Sequence, residues 1–100
     1  MTITLEKALA ILRANETHLR AKGVLYAAIF GSVARGEGHP ESDVDVLIEI
    51  DAEKRIGLFG YASLCEDVRE LFASRVDVVD ARSIKPRFRE SILGEAIYAF

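Results

Sequence analysis

Cysteine is nearly absent from this chain: Cys65 stands alone among 100 residues, which excludes an internal disulfide and leaves no Cys/His pattern for a structural metal. Tryptophan is missing altogether, aromatics make up 8%, and there are only two prolines, so neither a Pro-rich linker nor a ladder of stacking platforms for single-stranded nucleic acid is present. No apolar run approaches the length needed to cross a bilayer, and no basic region followed by a continuous apolar stretch opens the chain, so cytoplasm is the expected compartment. An excess of positive charge is also lacking. The net charge is −3 and the isoelectric point near 5.4, which argues against a broad electrostatic grip on nucleic acid. Arg82, Lys85, Arg87 and Arg89 are the local exception; their alternation with Ser83, Ile84, Pro86 and Phe88 reads as the solvated start of a helix.

Half the residues are hydrophobic, enough to bury one compact core and too little for two, so one domain over residues 1–100 is expected. A first helix over 5–21 has Thr4 as its cap, Glu6 at its positive end and an apolar stripe of Leu5, Ala8, Leu9, Leu12 and Leu19, and Gly23 ends it. His18 falls on its polar side. A buried strand follows over 25–30, stopped by Gly31 and Ser32, with a short helical turn from Val33. The polar loop 37–41 reads as mobile, with Ser42 a local hydrogen-bonding support, and it leads into a strand over 43–50. A helix over 58–72 places Leu58, Tyr61, Leu64, Cys65, Val68, Leu71 and Phe72 on one side, so Cys65 is read as a small packing residue. A strand over 76–79 and a final helix from Pro86 to about residue 96 complete the chain, with Phe88, Ile92 and Ile97 available to cover the sheet. Strands and helices in this order define an α/β (α+β) layer: a small sheet with helices packed on one face and the other face open.

What that open face carries is the informative part. Asp43 and Asp45 alternate with Val44, Val46 and Ile48, so in a strand both carboxylates project to one side and the valines to the other. At about 6 Å and an effective dielectric of about 20 their repulsion is roughly 2 to 3 kcal/mol, a cost that a bound cation would offset. Carboxylate oxygens are the hard ligands that Mg²⁺ prefers, together with water and the phosphates of a substrate. Upstream, Gly31 and Ser32 let a phosphate approach backbone N–H groups, with the serine hydroxyl as a further donor. Arg35 is placed either to touch the phosphates or to pair with Glu37 or Asp43. A third acid comes from Asp77 or Asp80, which differ by three positions and in a regular strand face opposite ways; Asp77, inside the β-rich run, is preferred over Asp80 at its end.

Gly31-Ser32-Val33-Ala34-Arg35-Gly36 followed by Ser42-Asp43-Val44-Asp45-Val46 resembles the signature of the DNA polymerase β-type nucleotidyltransferases, and within them the minimal nucleotidyltransferase (MNT) group. Arg75-Val76-Asp77-Val78-Val79 resembles the later strand with the third carboxylate, and the tail from Lys85 to Phe100 the closing helix. The resemblance implies a mixed sheet with the Asp43 and Asp77 strands as neighbours. It implies two Mg²⁺ ions held by Asp43, Asp45 and Asp77, ATP as nucleotide donor positioned by Gly31 and Ser32, and Asp77 on the acceptor side. It further implies an antitoxin that transfers AMP to a tyrosine of a HEPN-type RNase toxin, with which a hetero-oligomer can form. Two other readings stay open at this point: a non-catalytic module that masks the toxin, and transfer to a small molecule or an RNA end.

Overall fold

The computed structural model describes residues 3–40 and 42–100. Glu41, in the loop read as mobile, lies outside the described residues. The elements run α1 (Leu5–Ala14), α2 (Glu16–Ala21), β1 (Val24–Phe30), α3 (Gly31–Ala34), β2 (Val44–Ile50), α4 (Gly57–Glu70), β3 (Val76–Asp80), α5 (Pro86–Glu95) and β4 (Ile97–Tyr98), with short 3₁₀ turns at Ala52–Lys54 and Ala81–Ser83. The four strands form one mixed sheet in the order β3-β2-β1-β4. β1 is antiparallel to both β2 and β4, whereas β2 and β3 are parallel, joined by the crossover through α4 that a parallel pair requires.

The expected first helix is two helices. Asn15 divides them: its side-chain amide donates to the Ile11 carbonyl at 2.8 Å and its backbone N–H turns back to Arg13 and Leu12. Asparagine competes for backbone partners in this way, which makes it a better cap than interior residue. The start is as the sequence implies, with the Thr4 hydroxyl accepting the Lys7 N–H at 3.2 Å. Gly23, at φ +112°, makes the reversal into β1 in a backbone region that suits glycine. His18 is exposed beside Asp67, which also pairs with Lys22 and so ties α2 to α4.

Strand alternation sorts the apolar residues into two clusters. Ala27 and Ile29 of β1 with Val44, Val46, Ile48 and Ile50 of β2 face α1, α2 and α4, where Leu12, Leu19, Leu64 and Val68 complete the larger core. The face expected to be open is partly covered: there Ala28, Phe30 and Leu47 are apolar and meet Ile92, Leu93 and Ala96, so α5 roofs part of the sheet surface that carries the acids. Leu12 has no exposed surface. Leu12→Ala is expected to cost about 2 to 5 kcal/mol, the usual range for an aliphatic side chain removed from a packed core, read as a lower urea midpoint at unchanged m.

Three apolar placements differ from the sequence reading. Leu58 is 78% exposed, with Phe59 at 89%, because the first turn of α4 stays outside the core, which the helix meets from Tyr61 onward. Phe88 lies on the outer side of α5, against Arg87. Ile97 does not cover the sheet; it belongs to β4 and pairs with Ile29. Cys65 is buried as a small packing residue, and Pro86 occupies the first turn of α5.

Candidate active site

β1 and β2 are antiparallel, so the end of one meets the beginning of the other. Phe30, the last residue of β1, is the register partner of Asp45. Gly31 therefore lands beside the Asp45 carboxylate. A Cβ at Gly31 would lie 2.0 Å from Asp45 Oδ2, and the backbone there has φ +73°. Glycine is required twice over, by the left-handed conformation and by contact.

The parallel pairing of β2 and β3 brings in the next acid. Asp77 is the register partner of Asp45, and both lie in phase with the face that includes Leu47 and Val79. Asp80 is engaged elsewhere: 7% exposed, it caps the following turn, where Oδ1 accepts the Arg82 N–H at 2.9 Å and Oδ2 pairs with Arg82 Nη2 at 3.1 Å. Of the two alternatives, Asp77 is the one placed beside Asp45. Asp43 immediately precedes β2 rather than opening it, and its Oδ1 lies 3.2 Å from Arg75 Nε. The strand begins one residue later because the Val44 N–H makes the first cross-strand bond, to the Arg75 carbonyl at 2.9 Å.

This crowding of carboxylates has an electrostatic signature. The Asp45 carboxyl is pushed above its ordinary value, first by burial, then by the charges of Asp77 and Asp43; Arg35 opposes the shift and Glu95 adds to it. Among the described residues no three His, Cys, Asp or Glu side chains are closed into a metal-holding group. In kind, carboxylate oxygens are the donors that a hard divalent cation takes. Asp45 and Asp77 are adjacent carboxylates in a field of like charge, and Asp43 already has a cationic partner in Arg75.

Ser32 follows Gly31 in α3. Arg35, just past the end of α3, donates from Nε to Glu37 at 2.9 Å and from Nη1 to both oxygens of Glu95 at 3.1 Å. Glu37 is one of the partners the sequence offered. Glu95, the last residue of α5, was not foreseen: its Oε1 also accepts the Gly31 N–H at 3.1 Å. A contact spanning 64 positions leaves no local trace in the sequence. Ser42 acts locally as expected, its hydroxyl accepting the His39 N–H at 3.0 Å.

A mixed sheet with helices on both sides, and acids gathered where β1 ends and β2 begins beside a glycine-serine bend, defines a nucleotidyltransferase-type α/β domain. The nucleotidyltransferase domain family matches residues 6–99, and the chain belongs to it, within the minimal nucleotidyltransferase group. It is 37% identical over 97 residues to the protein adenylyltransferase MntA of Thermococcus cleftensis, with 96% of each chain covered. A solved structure assigned to the minimal nucleotidyltransferases superposes at a TM-score of 0.78 with 36% identity and 95% of both chains covered. The fold also matches a Shewanella oneidensis MNT antitoxin and tri-AMPylated HEPN toxin complex at a TM-score of 0.61. There the identity is 16%, over 92% of this chain and 71% of the other. The family is one of transferases. Among the described residues no helix is long and apolar enough to cross a membrane.

Proposed function

We propose that this chain is an antitoxin that transfers AMP from ATP to a tyrosine of a HEPN-type RNase toxin. The observation that carries the reading is the meeting of Asp45, Asp77 and Gly31 at one corner of the sheet, with Asp43 at its edge. Support for the acceptor comes from the relatives: one is named a protein adenylyltransferase, and a structural neighbour is an MNT antitoxin with an AMPylated HEPN toxin.

Asp43, Asp45 and Asp77 would hold two Mg²⁺ ions, which when bound would neutralise the triphosphate and activate the attacking hydroxyl. Gly31 leaves backbone room for the phosphates, the Ser32 hydroxyl donates to them, and Arg35 supplies a cationic donor to their oxygens. Asp77, on the strand beside that of Asp45, would receive the proton of the acceptor hydroxyl. The tyrosine oxygen attacks the α-phosphorus of ATP, the bond to the β-phosphate oxygen breaks, and pyrophosphate leaves with that electron pair. Positioning and charge neutralisation account for the rate, which is why a small constellation suffices.

The test is to incubate the chain with its HEPN partner, ATP and Mg²⁺ and weigh the partner by intact-mass spectrometry. One or more added AMP masses on the toxin, mapped to tyrosine, are expected. An unmodified toxin that is nonetheless silenced would instead establish masking, and label on a nucleic acid or small molecule would move the acceptor elsewhere.

A further inference from the structure

Glu95 reaches the site from a separate element, at the end of α5. A carboxylate has been brought from the end of α5 to a corner already crowded with Asp45, Asp77 and Asp43, where its charge further disfavours ionised Asp45. It is held there by the Gly31 N–H on Oε1 and by Arg35 Nη1 on both oxygens, all at 3.1 Å. These are a backbone N–H and a guanidinium converging on one oxyanion, the donor chemistry that a phosphate group would use. A phosphate oxygen cannot take the Gly31 N–H and the Nη1 edge of Arg35 while Glu95 holds both.

From this geometry we infer that Glu95 is an internal competitor of the triphosphate: it occupies the Gly31 N–H and Arg35 while no nucleotide is bound, and ATP binds by displacing it. The inference rests on the nucleotide site proposed above and adds to it a residue that sets ATP affinity. Seated there, Glu95 satisfies the Gly31 N–H and, with Glu37, pairs Arg35. On binding, the phosphates take Arg35 from Glu95, while Glu37 retains the guanidinium through Nε. The apparent affinity is then the intrinsic one reduced by the fraction of molecules whose bend is already released.

Competition and simple support predict opposite signs, which makes the inference testable. Glu95→Gln keeps a side-chain oxygen for the Gly31 N–H but removes the charge that holds Arg35. Titration calorimetry with a non-hydrolysable ATP analogue and Mg²⁺ is expected to show about 10-fold tighter binding, corresponding to loss of a charge-assisted pair. The same variant, without nucleotide, should melt at a lower temperature than wild type. Glu95→Asp, which keeps the charge but falls short of Gly31 by a methylene, should tighten binding less. In turnover the effect should fall on the KM for ATP more than on kcat. A folded Glu95→Gln or Glu95→Asp protein that binds the analogue as wild type does, or more weakly, overturns the competitor role and leaves the nucleotide site standing. If wild type itself takes up no analogue in the presence of Mg²⁺, the site falls and the competitor with it.

Discussion

Asp45→Asn should reduce AMP transfer by roughly 10³-fold or more, while making the metal-free protein more stable. The loss follows from removing a central carboxylate of the proposed site, whose β3 neighbour Asp77 and bend neighbour Gly31 are both built around it. The gain follows from the sign of the electrostatics. Burial and the charges of Asp77 and Asp43 hold the Asp45 pKa above its ordinary value, so the ionised form is worse off in the folded chain than in the unfolded one. That penalty is fully present above the folded pKa, and it is relieved as pH falls through that value toward the unfolded one. Asparagine removes it at neutral pH. Thermal melts of the chelated proteins should therefore place the variant above wild type at pH 7 and bring the two together in acid, alongside the transfer assay. A variant that loses both activity and stability would mean that Asp45 supports the fold.

Gly31→Ala should be nearly as damaging, by a different route. The added methyl falls 2.0 Å from Asp45 Oδ2 and 3.0 Å from its Cγ, and a Cβ at φ +73° costs about 1 to 2 kcal/mol by itself. The chain can relieve the clash by swinging the Asp45 carboxylate aside, because that group is the tip of a side chain rather than backbone. Relief and function are then incompatible. A drop of about 1 to 3 kcal/mol in urea unfolding is expected, together with at least roughly 10²-fold slower transfer, since a displacement on the order of 1 Å at a reacting centre has that effect. Wild-type transfer by a folded Gly31→Ala protein would show that Asp45 is free to relocate and that its position is not what matters.

These two residues also show how much of the site is legible in the sequence. The Asp-x-Asp alternation and the glycine-serine bend are local patterns, and strand parity alone places Asp45 on the face opposite Val44 and Val46. Asp77 needed pairing information: parity separates it from Asp80, but only the parallel register sets it beside Asp45. Asp80 then proved to be a turn cap bonded to Arg82, a role open to any aspartate at a strand end. The interruption at Asn15 was visible in residue type but concealed by an apolar stripe that continues through Leu19. β4 was concealed because two residues carry no periodicity, and their pairing to β1 is a tertiary choice. Leu58 misled for the opposite reason: helical spacing reports a face, not how far along the helix that face stays covered.

The sheet has one further property, set by its outer strands. On one side β4 offers only two residues, and the chain that follows is secured by the Arg13 guanidinium on the Ala99 carbonyl. On the other, β3 is five residues long and bears the exposed carboxylate of Asp77, with the exposed Arg75 just before it. Short or charged margins give a foreign strand little to zip onto, which disfavours growth of a small sheet by edge-to-edge addition into fibres.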